Sequence, residues 1–113
     1  MAKKLVILGA GESGVGTALL AKQKGYDVFV SDASTIQPNF QKELELHQIE
    51  FEFGAHSVER ILAADEVMKS PGIPEKNELV VAIRAKGIPV ISEIEFGYRY
   101  KGNAKIAAIT GSN

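Results

Sequence analysis

The sequence contains no cysteine, and it has no long hydrophobic run. The absence of cysteine excludes a disulfide framework, thiolate metal sites and a thiol nucleophile. The apolar run near the amino terminus, residues 5–8, meets glycine after four residues, so it is too short for a signal-peptide core or a membrane span. We therefore expect a cytoplasmic protein with no membrane partner.

An excess of charge of one sign is also missing. Thirteen Lys and Arg residues stand against fourteen Asp and Glu residues, which gives a net charge of -1. No global positive field is therefore available to attract nucleic acid or an anionic membrane surface. We expect no nucleic-acid partner, and an anionic ligand must be captured by a local site.

What the sequence does contain is the pattern of one globular domain. Apolar residues make up 45% and charged residues 24% of the 113 positions, which is typical of soluble proteins. Apolar runs alternate with helical patterns, as in βα units on a parallel sheet. The predicted strands are 5–8, 27–30, 49–53, 66–68 and 88–91. This order indicates an α/β fold, a Rossmann-like doubly wound parallel sheet of about five strands with flanking helices.

A helix start signal follows each of the last four predicted strands. The residues that can begin these helices are Pro38, Ser57, Asn77 and Ser92. Ser92 and Glu95 have the spacing of a capping box, which predicts a helix reaching about residue 100. In the third strand, apolar residues alternate with Glu50 and Glu52, so we expect that strand at an edge of the sheet.

A glycine-rich loop, GAGESG at residues 9–14, follows the first predicted strand and opens the first predicted helix, 13–24. Gly9 permits a tight turn, Gly11 lets a ligand phosphate approach the backbone, and Gly14 lets the helix pack close to the strand. The free N–H groups and the dipole of the helix start favour an anion. The alternative is a sharp turn without a ligand. Glu12 would repel a diphosphate, so we expect its side chain to face solvent.

Asp32 follows the second predicted strand, about 20 residues beyond the first glycine. In a dinucleotide fold a carboxylate at this place accepts hydrogen bonds from a ribose hydroxyl. Its alternative role is that of a turn or cap residue in the segment SDAST. Together with the glycine loop, Asp32 predicts that a nucleotide is bound here, without saying which one.

A second loop, Ser70-Pro71-Gly72-Ile73-Pro74, follows the fourth predicted strand. Pro71 followed by a glycine that can adopt positive φ favours a type II turn. Parallel strands end at a common edge, so this loop belongs to the same rim as the glycine loop. It is either a ligand-facing loop or a plain rigid turn.

Taken together, GAGESG, SDAS, SPGIP, SEIEF and AAITGSN in this order resemble the Mur ligases of peptidoglycan synthesis, in their amino-terminal domain. The resemblance is nearest to the members that add D-glutamate to UDP-N-acetylmuramoyl-L-alanine. It implies a Rossmann-like domain that holds the UDP end of this substrate. In the parent enzyme, ATP and Mg²⁺ convert the substrate carboxylate to an acyl phosphate, which the amine of D-glutamate attacks.

By this resemblance, residues of three loops bind UDP. Those that match the diphosphate loop are Glu12, Ser13 and Gly14, beside the loop glycines Gly9 and Gly11. Those that match the segment meeting uracil are Asp32, Ala33 and Ser34. Those of the SPGIP loop, where Gly72 matches a nucleotide-pocket contact, are Ser70, Pro71 and Gly72.

The resemblance also divides the chain. We expect residues 1–101 to form the UDP-substrate-binding domain, and residues 102–113 to be a linker and the truncated first strand and phosphate-loop start of an ATPase domain. The residues that match the start of the ATP loop are Thr110, Gly111, Ser112 and Asn113. A phosphate loop also needs a lysine and a hydroxyl residue. We therefore expect no catalytic residue, no metal site and no bound cofactor in this chain, whose partners are the missing central and C-terminal domains.

Two other functions remain open from the residues alone. The glycine loop with Asp32 suits the NAD(P)-binding domain of an oxidoreductase equally well, and the same fold can serve as a nucleotide-sensing regulatory module. The SPGIP loop and the terminal ITGSN favour the ligase interpretation over both.

The remaining polar and aromatic residues are expected to be structural. His47 and His56 lack partners at metal-ligand spacing, which predicts surface or helix-end roles. Tyr98 and Tyr100 are expected to cover the edge where the next domain would dock.

Overall fold

A computed structural model describes residues 2–100. Its strands are β1 (Lys4–Leu8), β2 (Asp27–Asp32), β3 (Glu50–Phe53), β4 (Glu66–Lys69) and β5 (Val90–Ile91). They form one parallel sheet in the order β3-β2-β1-β4-β5. The chain therefore winds outward from the central β1 in both directions, which is the doubly wound arrangement predicted from the sequence.

The helices are α1 (Glu12–Gln23), α2 (Pro38–Leu46), α3 (Val58–Ile61), α4 (Glu78–Ala85) and α5, which includes residues 93–100. The predicted order of strands and helices is confirmed. The last strand is shorter than predicted, because Pro89 precedes it and has no N–H to donate to a neighbouring strand. Pro89 contributes only its carbonyl oxygen, which accepts from Val67 N at 2.9 Å. The predicted second segment, 102–113, lies outside the described residues.

The central strand β1 explains the uninterrupted apolar run. Leu5 and Ile7 belong to a core on one face of the sheet, with Val15 and Ala18 of α1 among its members. Val6 and Leu8 belong to a core on the other face, with Ile61 and Ile83 among its members. Successive side chains of a strand point to opposite faces, so a strand covered by helices on both faces must be apolar throughout.

The predicted helix caps differ in the hydrogen bonds that they make. Asn77 Oδ1 accepts a hydrogen bond from Leu79 N at 2.9 Å. Ser92 and Glu95 form the full capping box, since each accepts from the backbone N–H of the other, at 3.1 and 3.0 Å. Ser57 occupies the N-cap position of α3, but its hydroxyl bonds to the side chain of Glu52 and not to the helix backbone. The hydroxyl of Ser57 donates to the carboxylate of Glu52 because an ionised oxygen is a stronger acceptor than a neutral one.

Helix α5 is held to the sheet by an aromatic cluster. Phe96 is fully buried, and Tyr26 lies edge-on to it with ring centroids 5.4 Å apart. The hydroxyl groups of Tyr100 and Tyr26 are 2.6 Å apart. Tyr100 therefore packs against its own domain, and its expected role at the edge where a next domain would dock stays a prediction. Tyr98 is 61% exposed, so its expected docking role stays a prediction.

Candidate functional site

The site is a cavity of about 290 Å³ at the carboxyl ends of β1, β2 and β4, the edge at which doubly wound sheets bind ligands. The glycine loop, the loop after β2 and the loop after β4 all contribute to its walls. The lining residues from these loops and their strand ends are Leu8, Gly9, Ala10, Gly11, Asp32, Ala33, Ser34, Ser70 and Ile73. His56, Asn77 and Leu79 complete the lining.

Gly9 makes the turn out of β1. Its φ of +102° is a conformation that residues with a side chain rarely adopt. A Cβ at this position would lie 2.8 Å from Ser70 Cβ, too close for any real contact. The amide of Gly9 donates to Ser31 O at 2.9 Å. The first glycine is therefore required by the backbone and by the closeness of the SPGIP loop.

The other two glycines of the motif, Gly14 and Gly11, differ in how much space surrounds them. A Cβ on Gly14 would lie 2.0 Å from the carbonyl oxygen of Gly9, so this glycine allows α1 to pack directly on the turn. A Cβ on Gly11 would have no atom within 4 Å. Gly11 is exposed, lines the cavity and occupies the N-cap position of α1. Gly11 therefore leaves open space at the cavity that a side chain would occupy.

Asp32 joins two of the loops. Its Oδ2 accepts from Ala10 N and its Oδ1 from Ser34 N, both at 2.8 Å. The first contact fixes the glycine loop, and the second forms the turn that carries Ala33 and Ser34 along the cavity wall. Asp32 therefore has the turn role that the sequence left as an alternative, and it also lines the cavity.

The residues predicted to bind UDP fall into two groups. Those that line the cavity are Gly9, Gly11, Asp32, Ala33, Ser34 and Ser70. Those that do not line it are Glu12, Ser13, Gly14, Pro71 and Gly72. Glu12 is exposed, as expected. The predicted ATP-loop residues, 110–113, lie outside the described residues.

The SPGIP loop forms a turn in which Ile73 N donates to Ser70 O at 3.1 Å. The predicted type II turn is wrong, because it requires positive φ at Gly72 and the glycines with positive φ are Gly9, Gly25, Gly54 and Gly87. Lys69 holds this turn from the strand side, since its Nζ donates to Ile73 O at 2.7 Å.

His56 is the polar residue that sequence reasoning missed. It lies in the loop between β3 and α3 and lines the cavity, with its Nδ1 2.7 Å from Ser31 Oγ. Metal-ligand spacing in the sequence does not reveal this position, because the partner of His56 is Ser31 on β2, 25 residues away. The available signal was its position just beyond the end of β3, on the rim shared with β1 and β2.

Glu52 completes the group around His56. Its Oε2 accepts from Ser31 Oγ and from Ser57 N, both at 2.6 Å, and its Oε1 accepts from Ser57 Oγ at 2.5 Å. Burial by itself would raise the pKa of the Glu52 carboxyl, but these hydrogen bonds and the nearby His56 outweigh it and hold the pKa below its ordinary value. Glu52 is therefore a carboxylate at neutral pH.

A second cavity of about 410 Å³ is lined in part by both residues of β5. Lys69 and Pro71, the sequence neighbours of Ser70, contribute to its lining. Its two basic side chains share one partner, since Glu75 lies 3.3 Å from Lys69 and 2.9 Å from Arg84.

Two other kinds of site are absent from residues 2–100. No group of three or more His, Cys, Asp or Glu side chains in this range could hold a metal ion. None of its helices combines the length and the apolar character needed to cross a membrane.

Comparison with known proteins identifies a family and several similar proteins. Residues 3–92 match the family described as Mur ligase MurD-like, N-terminal domain. The UDP-N-acetylmuramoylalanine--D-glutamate ligase of Cytophaga hutchinsonii is 60% identical over 114 residues, covering 100% of this chain and 25% of that protein. The ligase of the same name from Bacteroides fragilis is 55% identical over 111 residues, covering 98% of this chain and 25% of the relative.

A solved structure agrees with the observed fold. A pseudomurein peptide ligase type C from Methanothermus fervidus superposes with a TM-score of 0.76 at 27% identity, covering 89% of this chain and 21% of the other. The chain thus spans about a quarter of the length of the curated relatives it matches.

Proposed function

We propose that this chain, which belongs to the Mur ligase MurD-like N-terminal domain family, binds the UDP end of UDP-N-acetylmuramoyl-L-alanine as one domain of a D-glutamate-adding ligase. Family membership confirms the resemblance carried by the sequence motifs. The bound ligand, the ligation reaction and the residues that touch UDP are the proposal.

The observation that carries the proposal is the geometry of the glycine loop. The first amide that pairs inside α1 is that of Val15, with Gly11 O at 3.0 Å. The amides of Glu12, Ser13 and Gly14 therefore precede the first intrahelical hydrogen bond. Such amides, together with the helix dipole, favour an anion at the helix start. The open space beside Gly11 gives a diphosphate access to this place.

The remaining cavity provides room for the nucleoside. Ala33 and Ser34 form one wall, and Ser70 and Ile73 of the SPGIP turn form another. In doubly wound folds the phosphates lie at the first strand–helix turn and the ribose lies near the end of the second strand. On that pattern the nucleoside extends from the glycine loop toward the ends of β2 and β3.

The parent enzyme would carry out ATP-dependent ligation in the cytoplasm. In the proposed reaction, the carboxylate of the UDP-linked substrate would accept the γ-phosphoryl group of ATP with release of ADP, and the amine of D-glutamate would then displace phosphate from this acyl phosphate to form the amide. ATP and Mg²⁺ would serve this step at residues beyond the described part of the chain, of which 110–113 are the predicted beginning. We assign the described residues the binding and orientation of UDP, and no catalytic role.

Paired glycine variants test the proposal. In wild-type protein, UDP should shift the amide resonances of residues 9–14 and 32–34 in NMR spectra. Gly11→Val should weaken UDP binding more than about 10-fold, because a side chain there blocks the approach of the phosphate to the backbone. The control is Gly16→Val, at an exposed helix position with equally open surroundings outside the cavity lining.

Both variants should fold, which thermal unfolding checks, since a Cβ at either position would have no atom of the described structure within 4 Å. The control should bind UDP like the wild type. If Gly11→Val bound UDP normally, the glycine loop would not be the phosphate site, and the proposed function would lose its main support.

A further inference from the structure

The imidazole ring of His56 lines the cavity. Hydrogen bonds to Ser31 and, through it, to Glu52 orient this ring. Its Nδ1 contacts Ser31 Oγ at 2.7 Å. Ser31 is fully buried at the end of β2, and its hydroxyl is also 2.6 Å from Glu52 Oε2. The three side chains come from β2, β3 and the loop after β3, so the sheet itself brings them together.

The direction of the hydrogen bonds in this chain follows from the charge of Glu52. A carboxylate only accepts, so Ser31 must donate its single proton to Glu52. Toward His56 the same hydroxyl can then only accept. Nδ1 of His56 must therefore carry the proton in this contact, and in the neutral ring Nε2 has a free lone pair.

The charged groups around the ring agree with this assignment. Glu52 on β3 faces the ring through Ser31, and Asp32 at the end of β2 lines the same cavity. Both oxygens of Asp32 already accept backbone amides, from Ala10 and from Ser34. The residue expected from the sequence to accept from a ribose is thus engaged in holding the loops, and His56 offers a second acceptor on the same side of the cavity.

We propose that Nε2 of His56 accepts a hydrogen bond from the nucleoside half of a bound uridine diphosphate, from either a ribose hydroxyl or the imide N–H of the base. This inference rests on the proposed function. The ring lies at the end of β3, beyond β2 as seen from the glycine loop, where the nucleoside and not the diphosphate is expected. Ser31 and Glu52 act as positioning residues that fix the tautomer.

Two variants separate the two nitrogens of the ring. In His56→Asn, the amide can still donate to Ser31 Oγ but nothing reaches the position of Nε2. In His56→Gln, the longer amide can place an acceptor oxygen near that position. We expect His56→Asn to weaken UDP binding about 3- to 10-fold, as for the loss of one hydrogen bond. His56→Gln should recover most of this loss.

One readout goes beyond affinity. In the free wild-type protein, ¹⁵N NMR of the ring should show a protonated Nδ1 and an unprotonated Nε2, with the Nε2 resonance shifting on addition of UDP.

Two analogues identify the donor on the ligand. N3-methyl-UDP lacks the imide N–H, and 2′,3′-dideoxy-UDP lacks both ribose hydroxyls. Wild type and His56→Asn should have equal affinities for the analogue that lacks the group donating to His56. If the variant kept its full deficit with both analogues, His56 would accept from neither source and the inference would be wrong.

Two other results would also overturn the inference. Equal binding of UDP by wild type and His56→Asn would do so while leaving the proposed function intact, provided that Gly11→Val still weakened binding. Absence of UDP binding by the wild type would refute the proposed function together with the inference.

Discussion

The ion pair between Arg99 and Glu66 provides the sharpest test of how α5 is held to the sheet. Glu66 begins β4, and its side chain is 4% exposed. Arg99 of α5 donates to both carboxylate oxygens, at 3.1 and 2.9 Å. Arg99 Nη1 also donates to the Tyr26 hydroxyl at 3.2 Å. Arg99→Met would keep an apolar stem and leave the buried carboxylate without its main partner.

The expected loss of stability depends on how deeply Glu66 and Arg99 are each buried. Removing one partner of a fully buried ion pair costs about 3–5 kcal/mol. Arg99 is 35% exposed, and Lys3 Nζ remains 3.7 Å from Glu66, so solvent and Lys3 compensate part of the loss. We expect Arg99→Met to lower the free energy of unfolding by about 2 kcal/mol. For a domain of this size the loss corresponds to a decrease in Tm of about 10 °C.

The effect should depend on pH in a defined direction. The hydrogen bonds from Arg99 are the main reason why the pKa of the Glu66 carboxyl is lowered from its ordinary value of 4.5. A carboxyl whose pKa is lowered by folding stabilises the protein above the unfolded pKa, and this contribution is lost as pH falls through the folded pKa. The stability difference between wild type and Arg99→Met should thus be complete at neutral pH and decrease below pH 4.5.

Urea unfolding across this pH range measures the difference, with Arg84→Met as the matched control. Arg84 pairs with Glu75 on the surface, where the two side chains are 49% and 59% exposed, so its loss should cost less stability than the loss of Arg99. Replacing both members in Glu66→Met/Arg99→Met should recover part of the loss, since no buried charge is then left alone. Equal effects of Arg99→Met and Arg84→Met, or a difference that persists at low pH, would refute the reasoning.

Two further predictions concern the glycine loop and a helix cap. Gly14→Ala should lower stability by about 1–3 kcal/mol or more in thermal unfolding, because its Cβ would lie 2.0 Å from Gly9 O. Gly16→Ala, with open surroundings, should be neutral or stabilising, and equal Tm values for the two variants would contradict the close packing of turn and helix. Asn77→Ala should cost about 1 kcal/mol through loss of the hydrogen bond to Leu79 N; an unchanged urea midpoint would show that this cap does not contribute.

The fold could be predicted because its signals are local. The run from Leu5 to Leu8 indicates a strand covered on both faces, and the Ser92–Glu95 spacing marks a helix start that the structure reproduces. The edge position of β3 also followed from its alternating glutamates. These features depend on neighbours a few residues apart, which a sequence displays directly.

The site could be predicted only in part, because its side chains are joined by long-range contacts. Asp32 bonds to Ala10, 22 residues away, and His56 bonds to Ser31, 25 residues away. No spacing rule connects such pairs, so the loop-holding role of Asp32 and the cavity position of His56 emerged only from the folded chain. The partner of Glu66, 33 residues away in α5, was hidden for the same reason.

The central claim is that the cavity beside the glycine loop binds a uridine nucleotide and not a nicotinamide cofactor. The most direct measurement is calorimetric titration of the wild-type chain with UDP-N-acetylmuramoyl-L-alanine and, separately, with NADH. We expect saturable binding of the UDP compound, weak because the chain spans only about a quarter of the length of its curated relatives, and no comparable binding of NADH. Tight binding of NADH with no response to the UDP compound would contradict it.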